Sequence, residues 1–363
     1  MVSLKSQDKK IDRVILFLAI GLTLFGVLMV YNASVATAFR NFDDKYFFAR
    51  QQALWGFIGF VSLFLASKFP YQRLKKIVTP LMLLTILSLA LVLIPGVGTQ
   101  ALGARRWLVF GGLNFQPAEL AKLVSIIFIA AYLTKKGRTI NLWLLMVVLV
   151  GLILIEPDLG TAVILAGSSL SLYFVSGGSL MTLLIAGVLG LTAGVGLILF
   201  SPYRKERLLT FLDINRDPLG ASYHLRQVLL ALGSGGLFGL GIGASRQKYE
   251  YLPEAMTDSI FAIIGEELGF IGATLLLIAF LILIYRGVEV ARKAPDQFGQ
   301  LLAAGIISWI AIQTLINLAA MVAIVPLTGV PLPFISYGGS SLIITLTGIG
   351  ILLNISHYQL AKK

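Results

Sequence analysis

LMTLLIAGVLGLTAGVGLILF, residues 180–200, runs for 21 positions without a charged side chain. A bilayer core about 30 Å thick is crossed by roughly 20 apolar residues at about 1.5 Å rise each, so this stretch is long enough to span one as a helix. Working outward, nine further apolar blocks lie near 14–31, 49–67, 77–94, 118–133, 140–155, 159–176, 259–285, 300–325 and 340–357. Composition agrees: of 363 residues 57% are hydrophobic and only 13% charged, against roughly 25% charged in soluble domains. The reading is an all-α polytopic membrane protein of ten transmembrane helices. It forms a single membrane domain over 1–363, with a large extracytoplasmic loop, 201–258, between helices 7 and 8. A basic start, Lys5 to Arg13, precedes the first block and no small-residue cleavage site closes it. A retained helix is therefore expected rather than a removed signal.

A formal charge of +12 raises the question of nucleic acid, and the distribution answers it. With both termini on one side, the terminal tails and connections on that side hold 16 Lys and Arg, and the short connections opposite hold five. That asymmetry is the positive-inside pattern, which puts both termini in the cytoplasm and makes the basic surplus a topology signal. Cysteine is absent, and the two histidines, His224 and His357, lie 133 positions apart. No disulfide framework, thiolate nucleophile or cysteine–histidine metal site is expected.

Ionisable residues at membrane depth are functional candidates, because a central charge costs about 2.5–3.5 kcal/mol on insertion scales. Glu119 and Lys122 share one face at the start of the fourth block and can pair. They serve either as a structural bridge or as a holder of an anionic substrate. Glu156-Pro157-Asp158 reads mainly as a turn whose acidic residues suit the next helix N-terminus. Glu250, Glu254, Asp258, Glu266 and Glu267 place five carboxylates within 18 positions. Thr257 or Asp258 could simply cap the following helix. Asp258 also stands at the edge of the apolar run Ser-Ile-Phe-Ala-Ile-Ile, where burial raises a carboxyl pKa and makes a candidate general base.

Within the long loop, Leu225, Val228, Leu229 and Leu232 recur at helical spacing. Six glycines follow between Gly233 and Gly243. They fit no dinucleotide fingerprint and serve either an anion or close helix packing. The stretch PLPFISYGGSS, Pro331 to Ser341, is irregular backbone at the membrane boundary. It implies a water-accessible cavity open to the outer side.

Five motifs in order then carry a resemblance: GARRW at Gly103–Trp107, QPAELAK at Gln116–Lys122, EPDLGTA at Glu156–Ala162, SRQKYEYLPEAMTDSIFA at Ser245–Ala262 and PFISYGGSS at Pro333–Ser341. Over essentially its whole length the chain resembles the SEDS family (shape, elongation, division and sporulation proteins), the membrane peptidoglycan glycosyltransferases. LLALGSGGLFGLGIGASRQK at Leu229–Lys248 and IGEELG at Ile264–Gly269 are nearer its division branch than its elongation branch.

The resemblance implies polymerisation of lipid II, an undecaprenyl diphosphate-linked disaccharide-peptide, at the outer face of the bacterial cytoplasmic membrane. It implies a septal role in division, with a class B penicillin-binding protein and other divisome proteins as partners, membrane lipids around the chain and no nucleic acid. Asp258 takes the catalytic position. Arg106, Trp107, Glu119, Lys122, Arg246, Lys248, Glu250, Glu254 and Ser336 are the candidate substrate contacts. No metal ligand is assigned and no cofactor is required, although a divalent cation (Mg or Mn) could assist. The sequence departs from the family in two places that bear on the chemistry. Met256 and Ser259 stand where a histidine and a phenylalanine usually flank the Thr-Asp pair, so a histidine contribution is expected to be missing. Thr328 stands where the division branch often has a lysine, so one cation is expected to be absent. The competing readings are a lipid II flippase, an elongation-type polymerase, and a non-catalytic scaffold for a partner enzyme.

Overall fold

The structure, a computed structural model, describes residues 11–101, 104–110, 113–135, 139–217, 220, 222–249 and 251–358. A helix covers each apolar block: α1 Arg13–Phe42, α2 Phe47–Lys68, α3 Leu74–Val92, α4 Pro117–Thr134, α5 Thr139–Ile155, α6 Leu159–Val175, α7 Leu180–Leu199, α10 Ile260–Arg292, α11 Gln297–Met321 and α12 Gly339–His357. Among the described residues seven helices are long and apolar enough to cross a membrane, and two shorter apolar ones, at Asn141–Ile155 and Leu159–Val175, lie between them. This is a multi-pass membrane protein.

The centre is built by α4, α11 and α12, whose side chains are buried nearly all round, whereas α7 has no buried residue. One ionic junction fastens α4 to α11. Lys122 Nζ pairs with Glu119 Oε1 at 2.8 Å, donates to Gln313 Oε1 at 2.9 Å and lies 5.2 Å from the Trp309 ring centroid. Trp309 Nε1 donates to the same Gln313 oxygen at 2.8 Å.

Two expectations are corrected here. The chain is not all-α: a three-stranded antiparallel meander, β1 Gly98–Ala101, β2 Ala104–Phe110 and β3 Leu113–Phe115, fills the connection between α3 and α4. Its register pairs Leu108 with Phe115 and Thr99 with Trp107. The run Trp-Leu-Val-Phe in β2 suits a pleated, half-buried surface, and Leu108 turns inward. The second correction concerns the stretch before α12. Val330, Leu332, Phe334, Ile335 and Ser336 are buried, so protein rather than a water-filled cavity surrounds this irregular backbone. Its polar groups find side-chain partners. Gln313 Nε2 donates to Pro331 O at 2.9 Å, Asn317 Nδ2 to Val330 O at 2.8 Å and Gln52 Nε2 to Ser336 O at 3.2 Å.

The long loop contains two helices, the unanticipated α8, Pro202–Leu212, and the expected α9, Tyr223–Ser234. Leu225, Val228 and Ala231 of α9 are buried. The glycine run after α9 resolves as close packing. Helix α10 breaks at Gly269, where φ is +66°. Leu240 N and Gly241 N donate to the carbonyls of Glu266 and Glu267, both at 3.0 Å, and Phe270 N and Ile271 N donate back to Gly236 O and Leu237 O at 2.9 and 3.1 Å. A Cβ at Gly239 would collide with the Glu267 carbonyl group, and one at Gly269 with the backbone of Gly239 and Leu237.

Two stability outcomes follow. Gly269→Ala should lower the detergent melting temperature, by the equivalent of about 2 kcal/mol or more, while Gly233→Ala, in open space at the end of α9, should leave it unchanged or slightly higher. Lys122→Met strands the buried Glu119 charge and should cost about 3 kcal/mol, and adding Glu119→Gln should recover much of that loss.

Candidate functional site

Between α9 and α10 the chain makes a turn, Tyr251 to Ser259, that carries Asp258. Asp258 is 8% exposed and does not cap α10. The capping position is Ser259, and no side chain caps the helix. The turn is held from three sides. Asn317 Nδ2 on α11 donates to Asp258 O at 2.8 Å, Tyr337 N donates to Met256 O at 2.8 Å, and the Ser336 hydroxyl donates to Thr257 O. Ser336 also accepts from Leu332 N at 2.8 Å, so its one proton is committed to positioning the turn. Asn317 joins this turn to Val330, and Gln313, one helical turn away, joins Pro331 to Lys122.

The electrostatics favour a base rather than a permanent anion. The Thr257 hydroxyl lies 3.2 Å from Asp258 Oδ1 and 2.7 Å from Glu254 Oε2. A hydroxyl has one proton and cannot serve both carboxylates. Burial, and then the neighbouring Glu254 charge, push the Asp258 carboxyl up to about 6, against smaller opposing effects from the Thr257 hydroxyl and the Arg207 guanidinium. A carboxyl poised there is mostly ionised at neutral pH, yet basic enough to take a proton from a hydroxyl as it attacks.

Two residues that sequence reasoning overlooked complete the site. Arg207 on α8 donates from Nη1 to Leu327 O at 2.9 Å, which brings a guanidinium beside Thr328. The cation expected to be absent from that connection is thus supplied from another element. His224, in the first turn of α9, places Nε2 2.7 Å from Ser259 Oγ, so a histidine does reach the flank of Asp258. Burial and Arg207 hold the imidazole down to about 4, and it is neutral at pH 7. The only sequence signal for either residue was their presence in an unusually long, partly basic loop.

The other candidates fall into three groups. Beside the turn, Lys248 and Glu254 line a cleft of about 180 Å³ with Ala33, Thr37, Leu252, Ala255 and Met256. Neither Thr257 nor Asp258 is among these residues. Lys248 is buried, donating to Asn32 Oδ1 at 3.1 Å, to Gly243 O and to Glu267 Oε1 at 3.2 Å. Arg246 is exposed, and its backbone N–H donates to Glu266 Oε1 at 3.0 Å. Glu266 and Glu267 therefore hold the 245–248 loop and are buried. Glu250 lies outside the described residues.

The second group is the Lys122–Glu119 junction, where the ammonium is engaged within the bundle and Glu119 Oε2 is buried without a partner. The third group lies on β2. Arg106 Nε donates to Glu156 O at 2.9 Å and its Nη2 to Pro157 O, so Arg106 clasps the α5–α6 turn. Trp107, on the same strand, is half-buried. Asp158 caps α6 by accepting from Thr161 N at 3.0 Å, as expected. Glu156 does not cap. Both its oxygens are buried without partners, and burial, then Asp158, push its carboxyl up to about 8 against the pull of Arg106. Among the described residues, no three His, Asp or Glu side chains gather to hold a metal ion. Among the described residues, Asp258 and Glu254 are the carboxylates near the turn that Mg or Mn would meet, with phosphate oxygens and water as the other ligands.

Comparison with known proteins agrees along the whole chain. The family model described as "Cell cycle protein", for the FtsW, RodA and SpoVE proteins, matches residues 12–361. Stage V sporulation protein E of Bacillus subtilis is 42% identical over 356 residues, covering 96% of this chain and 97% of that protein. The probable peptidoglycan glycosyltransferase FtsW of Trichlorobacter lovleyi is 40% identical, covering 95% and 93%. Among solved structures, a chain from a study of polymerization and crosslinking by a peptidoglycan synthase complex superposes with a TM-score of 0.78 at 32% identity, covering 96% of this chain and 99% of that one. The rod shape determining protein RodA of Thermus thermophilus gives 0.71 at 29% identity, covering 97% and 98%. From the first helix to the last, the chain belongs to the FtsW/RodA/SpoVE family.

Proposed function

We propose that this chain is a peptidoglycan glycosyltransferase that polymerises lipid II at the outer face of the cytoplasmic membrane, with Asp258 as general base. The observation that carries the reading is a buried carboxyl raised to about 6, pinned by Asn317 and flanked by the Arg207 cation. Relatives named as peptidoglycan glycosyltransferases at 40% identity support it. In the reaction a sugar hydroxyl of the acceptor attacks the anomeric carbon of the donor. The new C–O bond forms as the bond to the diphosphate oxygen breaks, the proton passes to Asp258, and the lipid diphosphate leaves with its negative charge. Arg207 and Arg246 are cations of this region that suit the charge developing on the leaving group, whereas Lys248 is buried and paired with Glu267. Arg106 and Trp107 on β2 are the remaining candidates for contacts with the rest of the substrate, whereas Lys122 is buried and engaged with Glu119 and Gln313. The cleft beside Glu254 is the approach for the acceptor.

The topology that goes with this reading has ten spans and both termini in the cytoplasm, which sets the long loop and its carboxylate outside. A septal role is supported by the relatives named FtsW and by the sporulation protein, and a class B penicillin-binding transpeptidase is the expected partner, with other division proteins. A divalent cation would be brought with the diphosphate.

Purified protein given lipid II and its partner should form glycan chains on a gel, and Asp258→Ala should form none. Polymer at the normal rate from that variant would overturn the assignment of the base. Lipid translocation across vesicles without polymer would favour the flippase. The base must be ionised to act, so the initial rate should fall about tenfold per pH unit below about 6 and level off above it. Arg207→Ala should lower the rate at every pH and move that limb upward, because the guanidinium favours the ionised carboxylate.

A further inference from the structure

The hydroxyl of Ser259 occupies the N-cap position of α10 without capping it. An N-cap serine ordinarily accepts from an amide two or three residues on, but here no such bond forms and the hydroxyl meets His224 Nε2 at 2.7 Å. The two residues are 35 positions apart and come from different elements, α9 and the start of α10. Their contact falls on the peptide next to Asp258. The rest of that peptide is held by Ser259 N donating to Glu254 O at 3.2 Å and by Asn317 donating to Asp258 O. Neither of those bonds comes from α9, so the His224–Ser259 contact adds a side-chain hydrogen bond from the loop helix to the peptide next to the base.

We infer that His224 is a positioning residue, and that its hydrogen bond to Ser259 sets the orientation of the Asp258 carboxylate toward the incoming hydroxyl. The inference rests on the glycosyltransferase reading and adds to it a residue pair whose chemistry is local to this chain. The imidazole touches no reacting atom and does not exchange the proton; it acts through Ser259. A neutral imidazole suits the task, because it adds no second positive charge beside Arg207 and can either donate to or accept from a hydroxyl. A displaced general base loses catalytic efficiency steeply while the substrate still binds, since about 1 Å of misplacement can cost up to a hundredfold.

The test is a double-mutant cycle on the full chain with its partner transpeptidase. His224→Ala and Ser259→Ala should each lower the maximal rate of polymer formation about tenfold, with KM for lipid II within about twofold. The double variant should be no slower than the slower single one. His224→Gln, which keeps a hydrogen-bonding group at that place, should recover most of the rate. Backbone hydrogen exchange over Asp258–Ala262 should quicken alike in both alanine variants and stay near the unaltered value in His224→Gln. Full rates in the single variants, losses that multiply in the double, or unchanged exchange would each overturn the inference. If the unaltered protein makes no polymer, the glycosyltransferase reading fails, and the exchange cycle alone decides the contact.

Discussion

Inside a bilayer a backbone N–H or C=O that leaves its helix has no water to turn to, and each unsatisfied group costs several kcal/mol. This chain leaves helical geometry within its packed interior at Gly269 in α10 and over the stretch between α11 and α12. Both departures are mended by specific groups. The glycine loop after α9 lays its amides against the carbonyls of Glu266 and Glu267, and Gln52, Gln313 and Asn317 reach the carbonyls of Ser336, Pro331 and Val330. The Asp258 turn shares Asn317 and Ser336 with the second of these repairs. Its position is a consequence of how the broken backbone is satisfied.

The same economy of hydrogen bonds shapes the chemistry. Asn317 and Ser336 bond to the backbone of the turn, so they orient Asp258 without stabilising its charge. The nearest hydroxyl, Thr257, lies closer to Glu254. The carboxylate is therefore firmly placed yet poorly solvated, the combination a base working near neutrality requires. Elsewhere the chain treats buried carboxylates differently. Glu267 is paired with Lys248 and Glu119 with Lys122, which ties loops and helices together. Among Glu119, Glu267 and Asp258, pairing with a lysine marks the first two as structural acids.

Much of this was legible in the residues. Apolar run length located every long helix, the Leu225–Leu232 periodicity located α9, and the edge of the apolar run marked Asp258. The strands at 98–115 were not legible, because a short meander beside ten apolar blocks has a weak period and its Arg-Arg pair looked like loop. The irregular Pro331–Ser341 stretch was recognised, but whether protein or water would surround it depended on glutamine and asparagine side chains from α2 and α11. Arg207 and His224 were missed because each acts on a partner far along the chain: 120 positions to Leu327 and 35 to Ser259.

Composition, run length and charge asymmetry determined by themselves that the chain lies in a membrane, roughly where its helices run, and which acid stands at a helix boundary, since these follow from the local cost of placing side chains in lipid. The tertiary structure alone decided that Arg207 acts on that acid and that His224 meets the neighbouring Ser259, and which of the buried charges are consumed in holding the bundle together. Those outcomes depend on the meeting of elements distant in sequence, and hydrogen bonds and charge contacts are fixed by distances of a few ångströms that no local pattern encodes.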